Sequence, residues 1–330
     1  MKNKRFMNVS RSIFAALLVM LSLWVVNLVD AATFPSKPIT VIVAFAPGGN
    51  MDGHARMLAR LMPDYLPNRV PVIVQNVIGA QSQKGTLVLY RSKPNGYAIS
   101  VFQMPSQMLD SLIHQKKAVG EDIMNVTWLG VMTTYVNVGY VKTDSPYKTV
   151  ADLKAQRDRK IKIGSSGGSG LYNATLVPHA LGIETQLVTG YKSSGEVVVG
   201  LVRGDVDLIH QSVATGLKYV ENGDIRPLFI IGPKRVKEFP DTPTLTEFGY
   251  PELENCYAGR FVVGPPGMDP AIADILSEAI KKSINNKTFL DYCEKEGLDA
   301  VTPAKNRQET ETMARDNFKI WNKYINLFTK

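Results

Sequence analysis

The amino-acid sequence predicts an α/β protein of two lobes with a ligand cleft between them, its sheets mostly parallel. Three observations carry this. A continuous apolar, β-branched run at Ile39–Phe45 has the pattern of a strand buried on both faces. Strand and helix patterns alternate behind it, as in a sheet wound by crossover helices. A second strand–turn–helix unit, opening at Lys160, echoes the first, and strand-rich segments on either side of it lead back to the first unit.

A targeting segment precedes the first strand. Lys2, Lys4, Arg5 and Arg11 are followed by the apolar run Ile13–Val29 and by Val29-Asp30-Ala31, with small residues where a signal peptidase reads, so cleavage is expected after Ala31. The competing reading is an uncleaved anchor, because the run is just long enough to span a bilayer. The small residues favour removal, and no cysteine follows that would take a lipid. The mature protein is expected to be exported and soluble. The formal net charge of the full chain is +8. Loss of the leader removes four basic residues and one acidic residue, leaving a mildly basic chain with scattered charge. No Lys/Arg tract or zinc-finger spacing is present, so nucleic acid is not an expected partner. Cys256 and Cys293 are too few for a disulfide framework, and whether they pair is open.

The elements follow in order. After Ile39–Phe45, the turn Pro47-Gly48-Gly49 leads into a helix near Asp52, with Asn50 or Asp52 as its cap. Pro63 should end or kink that helix. Val70–Val74 is a strand, Asn76–Ser82 a loop, and Lys84–Arg91 a helix. Pro94-Asn95-Gly96 is a turn into the strand Tyr97–Phe102. Trp128–Val141 is strand-rich, and Thr149 opens a helix. The second unit has Lys160–Ile163 as strand, Gly164–Gly170 as turn and Leu171–Leu181 as helix. The strand Thr185–Val188, the loop Gly190–Ser194, the helix Gly195–Arg203 and the strands Val206–His210 and Ile225–Ile231 follow. Phe261–Val263 is a last strand, and the helices Pro270–Ile284 and Gln308–Phe328 close the chain. The lobes are expected at 32–138 with 258–330, and at 139–257.

A strand feeding a helix through Gly48 and Gly49 leaves backbone N–H groups pointing outward, a turn suited to a carboxyl group. Taken alone, it is more often a plain connection. Gly164-x-Ser166-x-Gly168 matches a nucleophile elbow, which would make Ser166 the nucleophile of a secreted serine hydrolase. Only His179 and His210 follow it, however, and no HGGG-type segment is present. The same turn equally offers hydroxyls and N–H groups for binding without chemistry. His54, His114, His179 and His210 show no metal-ligand spacing, and no nucleotide loop occurs. No metal or cofactor is expected. Tyr191 and Lys192 follow a strand end, where ligands gather in open α/β sheets.

Several short motifs occur in order along the chain: Phe34-Pro-Ser-Lys-Pro-Ile39, Phe45-Ala-Pro-Gly-Gly-Asn-Met-Asp52, Asn76 with Gly79-Ala80, and Pro94-Asn-Gly-Tyr97. In the second unit they are Gly164-Ser-Ser-Gly167, Tyr191-Lys192, Gly204-Asp-Val-Asp207 and Pro240-Asp-Thr-Pro-Thr244. Through these, over its mature length, the chain resembles the substrate-binding proteins of tripartite tricarboxylate transporters, the Bug proteins. The resemblance implies a Venus-flytrap fold in the periplasm, a small organic carboxylate in the cleft, no enzymatic step, a monomer, and two integral-membrane permease subunits as partners. A sensor docking on a receptor is the alternative partner arrangement. It places the ligand at Ala46, Pro47, Gly48, Gly49 and Asp52, and at Asn76, Gly79, Ala80 and Gln81. From the other lobe it adds Ser165, Ser166, Gly167, Ser169, Tyr191 and Lys192. Gln103 and Gln211 stand at two further ligand-facing positions, where the family favours Gly-Thr and an acidic residue. The second loop, usually Asn-Arg-Pro-Gly-Ala-Gly-Gly, here runs Asn76-Val-Ile-Gly-Ala-Gln-Ser82. Phe102 and Val77-Ile78 suggest an aromatic or longer acid.

Overall fold

A computed structural model describes residues 34–80, 82–113, 120–166, 168–295 and 299–328. The expected leader and cleavage site, Gln81, His114 and Gly167 lie outside them. The elements are β1 (Ile39–Val43), α1 (Asn50–Leu61), β2 (Val72–Asn76), α2 (Gln83–Tyr90), β3 (Ala98–Met104), α3 (Ser106–Ile113), β4 (Thr127–Tyr135) and β5 (Asn137–Lys142). Next come α4 (Val150–Ala155), β6 (Ile161–Gly164), α5 (Gly168–Leu181), β7 (Thr185–Val188), α6 (Ser194–Arg203), β8 (Leu208–Ser212), α7 (Val213–Glu221) and β9 (Ile225–Ile231). β10 (Ala258–Gly264), α8 (Pro270–Ile284), α9 (Lys287–Lys295), β11 (Asp299–Ala300) and α10 (Arg307–Lys323) complete the fold.

The described strands form two sheets, ordered β11-β4-β10-β3-β1-β2 and β7-β6-β8-β5-β9. The α/β architecture of two sheets agrees with the sequence reading, but each sheet is mixed. β1 pairs in parallel with β2 and β3, and β6 with β7 and β8. β10 runs antiparallel between β3 and β4, and β5 antiparallel to β8 and β9. The parallel pairs are those with crossover helices. β10 arrives from the other sheet and β5 enters directly from β4 through Val136, so neither is held to the crossover geometry.

Local chemistry explains most boundaries. Pro63 does end α1, and a 3₁₀ turn over Met62–Tyr65 follows. Thr149 opens α4 with a reciprocal capping box to Asp152, and Ser193, Ser212 and Asp269 cap α6, α7 and α8. The first helix departs from expectation: its cap is Gly49, with no side-chain capping bond. Three helices, α3, α7 and α9, are additions to the sequence reading. α9 fully buries only Phe289 and Cys293, too narrow a stripe to read as periodic. Cys256 and Cys293 form no disulfide and lie in different hydrophobic clusters.

One hydrophobic cluster runs across both sheets. Phe102, Trp128 and Phe261 meet Leu208 and Phe229 through Tyr172 and Leu176 of α5 and Trp321 of α10. Two further clusters back the outer faces, one under α1 and α8, the other under α6. The shared cluster joins the two sheets along one side and holds α5 against α3, which follows β3.

Candidate ligand site

A cavity of about 690 Å³ lies between the sheets, within the usual range for small-molecule sites. Ala44–Ala46 after β1, Ile78, Gly79 and Ser82 after β2, and Gln103, Ser106, Asp110 and Ile113 around α3 form one wall. Leu171, Tyr172 and Thr175 of α5, with Leu327 and Phe328, form the other. None of these lining residues is Lys or Arg. The two walls touch where the Tyr172 hydroxyl donates to Asp110 Oδ1 at 2.6 Å. Burial and the nearby Asp110 charge push the Tyr172 phenol up, so it stays a donor.

The turn after β1 is closed upon itself. Gly48 takes φ +76°, which suits glycine. Its N–H donates to Asp52 Oδ2 at 2.8 Å, and Arg56 Nε donates to the same oxygen at 2.8 Å. Asn76 Nδ2 donates to Asp52 Oδ1 at 2.9 Å and to the Phe45 carbonyl at 3.0 Å, tying the end of β2 to this turn. The Arg56 bond, helped by Gly48 and Asn76 and opposed by burial, holds the Asp52 carboxyl down at about 2. Asp52 and Asn76 therefore shape the turn from behind. The turn also rests on Arg260 of β10, which donates to Asn50 Oδ1 at 2.6 Å and to Thr133 Oγ1 at 3.0 Å, with its guanidinium 5.3 Å from the Tyr135 ring. Tyr135 in turn accepts from Gln103 Nε2 at 3.2 Å. Burial, with the Arg260 charge, holds His54 of α1 down at about 4, and its Nδ1 lies 2.8 Å from the Asn50 carbonyl oxygen.

The loop after β2 is built differently. Gly79, Ala80 and Ser82 have φ of +142°, +48° and +74°. The last two are positions where a side chain costs about 1 kcal/mol or more. Ser82 is the cap residue of α2, yet its side chain makes no capping bond. Its hydroxyl, like that of Ser106, is buried without a hydrogen-bond partner. A chain of buried side chains holds both in place. Thr86 Oγ1 donates to the Ser82 carbonyl at 3.0 Å, Gln107 Nε2 to Thr86 Oγ1 at 3.0 Å, and the Gln103 N–H to Gln107 Oε1 at 2.7 Å. Gly85 seats α2 against β1: a Cβ there would lie 2.7 Å from Ala44 Cβ and 2.9 Å from the Val77 carbonyl.

On the second lobe, Ser165, Gly170 and Gln211 converge at the start of α5, where a Cβ on Gly170 would come within 3.8 Å of both side chains. Ser166 and Ser169 are half-buried beside them. Tyr191 packs on Gly200 of α6, and Lys192 is exposed, its N–H bonded to Glu196. Among the expected site residues, Ala46, Gly79 and Gln103 line the cavity; Pro47, Gly49 and Ala80 flank it in the same loops. Ser82, at the end of the Asn76–Ser82 loop that the resemblance singled out, lines it too, as do Ser106, Asp110, Tyr172 and Thr175, which were passed over by the sequence reading. For Ser106 and Asp110 the signal was position after a strand end, shared with the loops that were noticed. No hydrogen bond joins Ser166 to His179 or His210; His179 stands against Tyr324 and His210 against Phe229.

Three comparisons bear on identity. The family model described as tripartite tricarboxylate transporter family receptor matches residues 55–329. Protein BugT of Bordetella pertussis is 30% identical over 298 residues, covering 89% of this chain and 90% of that protein. Among solved structures, a TctC solute-binding protein from Polaromonas superposes with a TM-score of 0.77 at 21% identity, over 90% of this chain and 99% of that one. MatC from Rhodopseudomonas palustris with bound malate superposes with a TM-score of 0.65 at 19% identity, over 89% and 99%.

Proposed function

Because the chain belongs to the tripartite tricarboxylate transporter receptor family, a family of periplasmic solute-binding proteins and not enzymes, we propose that it captures a small organic carboxylate for membrane permease subunits. The observation that carries this is the cavity, set where the loops after β1, β2 and β3 end and walled on its other side by α5. Backbone N–H groups of Ala46, Gly79 and Ala80 supply donors for an anion. Ser165, Ser166, Ser169 and Gln211 stand at the start of α5 on the lobe that closes, and closure excludes water. Residues 32–138 and 258–330 make one lobe and 139–257 the other. The mature protein, cleaved after Ala31, acts as a monomer in the periplasm. Malate in the R. palustris relative supports an acid as the cargo.

A thermal-shift screen of the mature protein across mono-, di- and aromatic carboxylates tests the proposal. An acid present at 100 times its dissociation constant should add about 2.7 kcal/mol. If no acid raises the melting temperature, the carboxylate reading fails.

A further inference from the structure

We propose that the hydroxyls of Ser82 and Ser106 select the ligand, holding the carboxylate of an acid whose other end is apolar, a monocarboxylate rather than a dicarboxylate. This rests on the carboxylate reading of the same cavity and narrows it.

The donors of the cavity wall lead to this. The Gln103 side-chain amide is engaged by Tyr135, the Tyr172 hydroxyl by Asp110, and the Thr175 hydroxyl by the Leu171 carbonyl at 3.2 Å. Among the described lining residues, the hydroxyls left unengaged within the protein are those of Ser82 and Ser106. Both residues are more than nine-tenths buried, at 5% and 8% exposure. A buried hydroxyl without a partner is costly, and such groups in native proteins mark function or an unseen partner.

Ser82 carries a second cost. At φ +74° glycine would sit without strain, while serine gives up stability. A strained side chain that caps nothing, on a residue lining a cavity, has its compensation outside the folded chain itself. The Thr86–Gln107–Gln103 chain fixes the Ser82 backbone relative to α3, which begins at Ser106, so the two hydroxyls are held in one arrangement.

Two hydroxyls with the adjoining N–H groups of the loop suit one carboxylate. The opposite wall offers no equivalent set. It is formed by Leu171, Tyr172, Thr175, Leu327 and Phe328, its two hydroxyls are engaged by Asp110 and by the Leu171 carbonyl, and Asp110, where the walls touch, is a like group for any second carboxylate. A second carboxyl there would lose its water without gaining donors. An alkyl or aryl body would instead replace water on an apolar surface.

The experiment measures affinities by calorimetry with the mature protein and matched pairs: hexanoate against adipate, and 4-methylbenzoate against terephthalate and against 4-methylbenzamide. The monoacid should bind at least about tenfold more tightly than the diacid or the amide. Ser82→Gly and Ser106→Ala should each weaken the monoacid about tenfold. Ser82→Gly should also leave the urea midpoint unchanged or raised, because the strain is relieved. A purely structural role for Ser82 could not produce weaker binding together with equal or greater stability. Diacids binding as tightly as monoacids, or full affinity in Ser82→Gly, would overturn the inference while leaving the carboxylate reading intact. If no acid binds the wild type, that reading falls and the inference with it.

Discussion

The loops after β1 and β2 lie side by side, yet they use their polar groups in opposite ways. In the first, Asp52 gathers the Gly48 N–H, Arg56 and Asn76, and its carboxylate is satisfied inside the turn. In the second, Ser82, a residue of the cavity lining, takes a strained backbone and leaves its buried hydroxyl unengaged. The difference separates shape from recognition. A polar group with a full set of internal partners maintains geometry, whereas one held in place at a cost and left without partners is available to a ligand. By that measure the Pro47-Gly48-Gly49 turn is scaffold, its two glycine N–H groups bonded to Asp52 and to the Ala46 carbonyl, and the selective chemistry sits one loop later.

The largest effect expected is at the scaffold. Asp52→Ala should cost about 3 kcal/mol in urea unfolding, since it strips partners from the Gly48 N–H and the Asn76 amide at once. Affinity should fall with it as the turn loosens. A loss near 1 kcal/mol, the cost of an ordinary cap, would mean that the turn does not depend on its hub. Gly85→Ala tests the contact between the two loops. Its Cβ would meet Ala44 and the Val77 carbonyl below 3.0 Å, so overpacking should cost about 2 kcal/mol, and displacement of α2 should weaken ligand binding in calorimetry. Unchanged affinity would separate the position of α2 from recognition.

Acid should act on the scaffold before it reaches the hub. His54 is neutral in the fold, its pKa lowered from 6.5 to about 4 by burial and the Arg260 charge, so the unfolded chain binds the extra proton. Stability should therefore fall as pH drops from about 6.5 to 4, by at most about 1.4 kcal/mol per pH unit from this residue. The Asp52 contribution is lost only lower, as pH falls from 3.8 toward 2. Urea midpoints of His54→Gln should show a flatter pH dependence than wild type between 7 and 4. Identical slopes would remove His54 from the account.

Much of the fold was legible because its signals are local. The buried run at Ile39, the stop at Pro63, the box at Thr149 and the repeat of the strand–turn–helix unit are each set within a few residues. The resemblance then joined them over the chain. The site was legible only in part, for three physical reasons. Nothing in the identity of Ser82 announces a positive φ. Asp52 looks like a helix cap until its partner Asn76, twenty-four residues on, is placed beside it. Tyr172, Leu327 and Phe328 reach the cavity only through the packing of α5 on the C-terminal segment, a long-range arrangement without a sequence spacing to betray it.

That packing has an optical consequence. Of the three tryptophans in the chain, Trp24 lies in the proposed leader, and Trp128 and Trp321 lie among the described residues. Trp321 is fully buried, with its ring 6.2 Å from Tyr172 and 6.3 Å from Phe328, two residues of the cavity wall. Trp128 stands against Phe261 in the core. Trp321 thus borders two cavity-wall rings while Trp128 has Phe261 as its ring partner, so ligand entry should change the emission of the first more than that of the second.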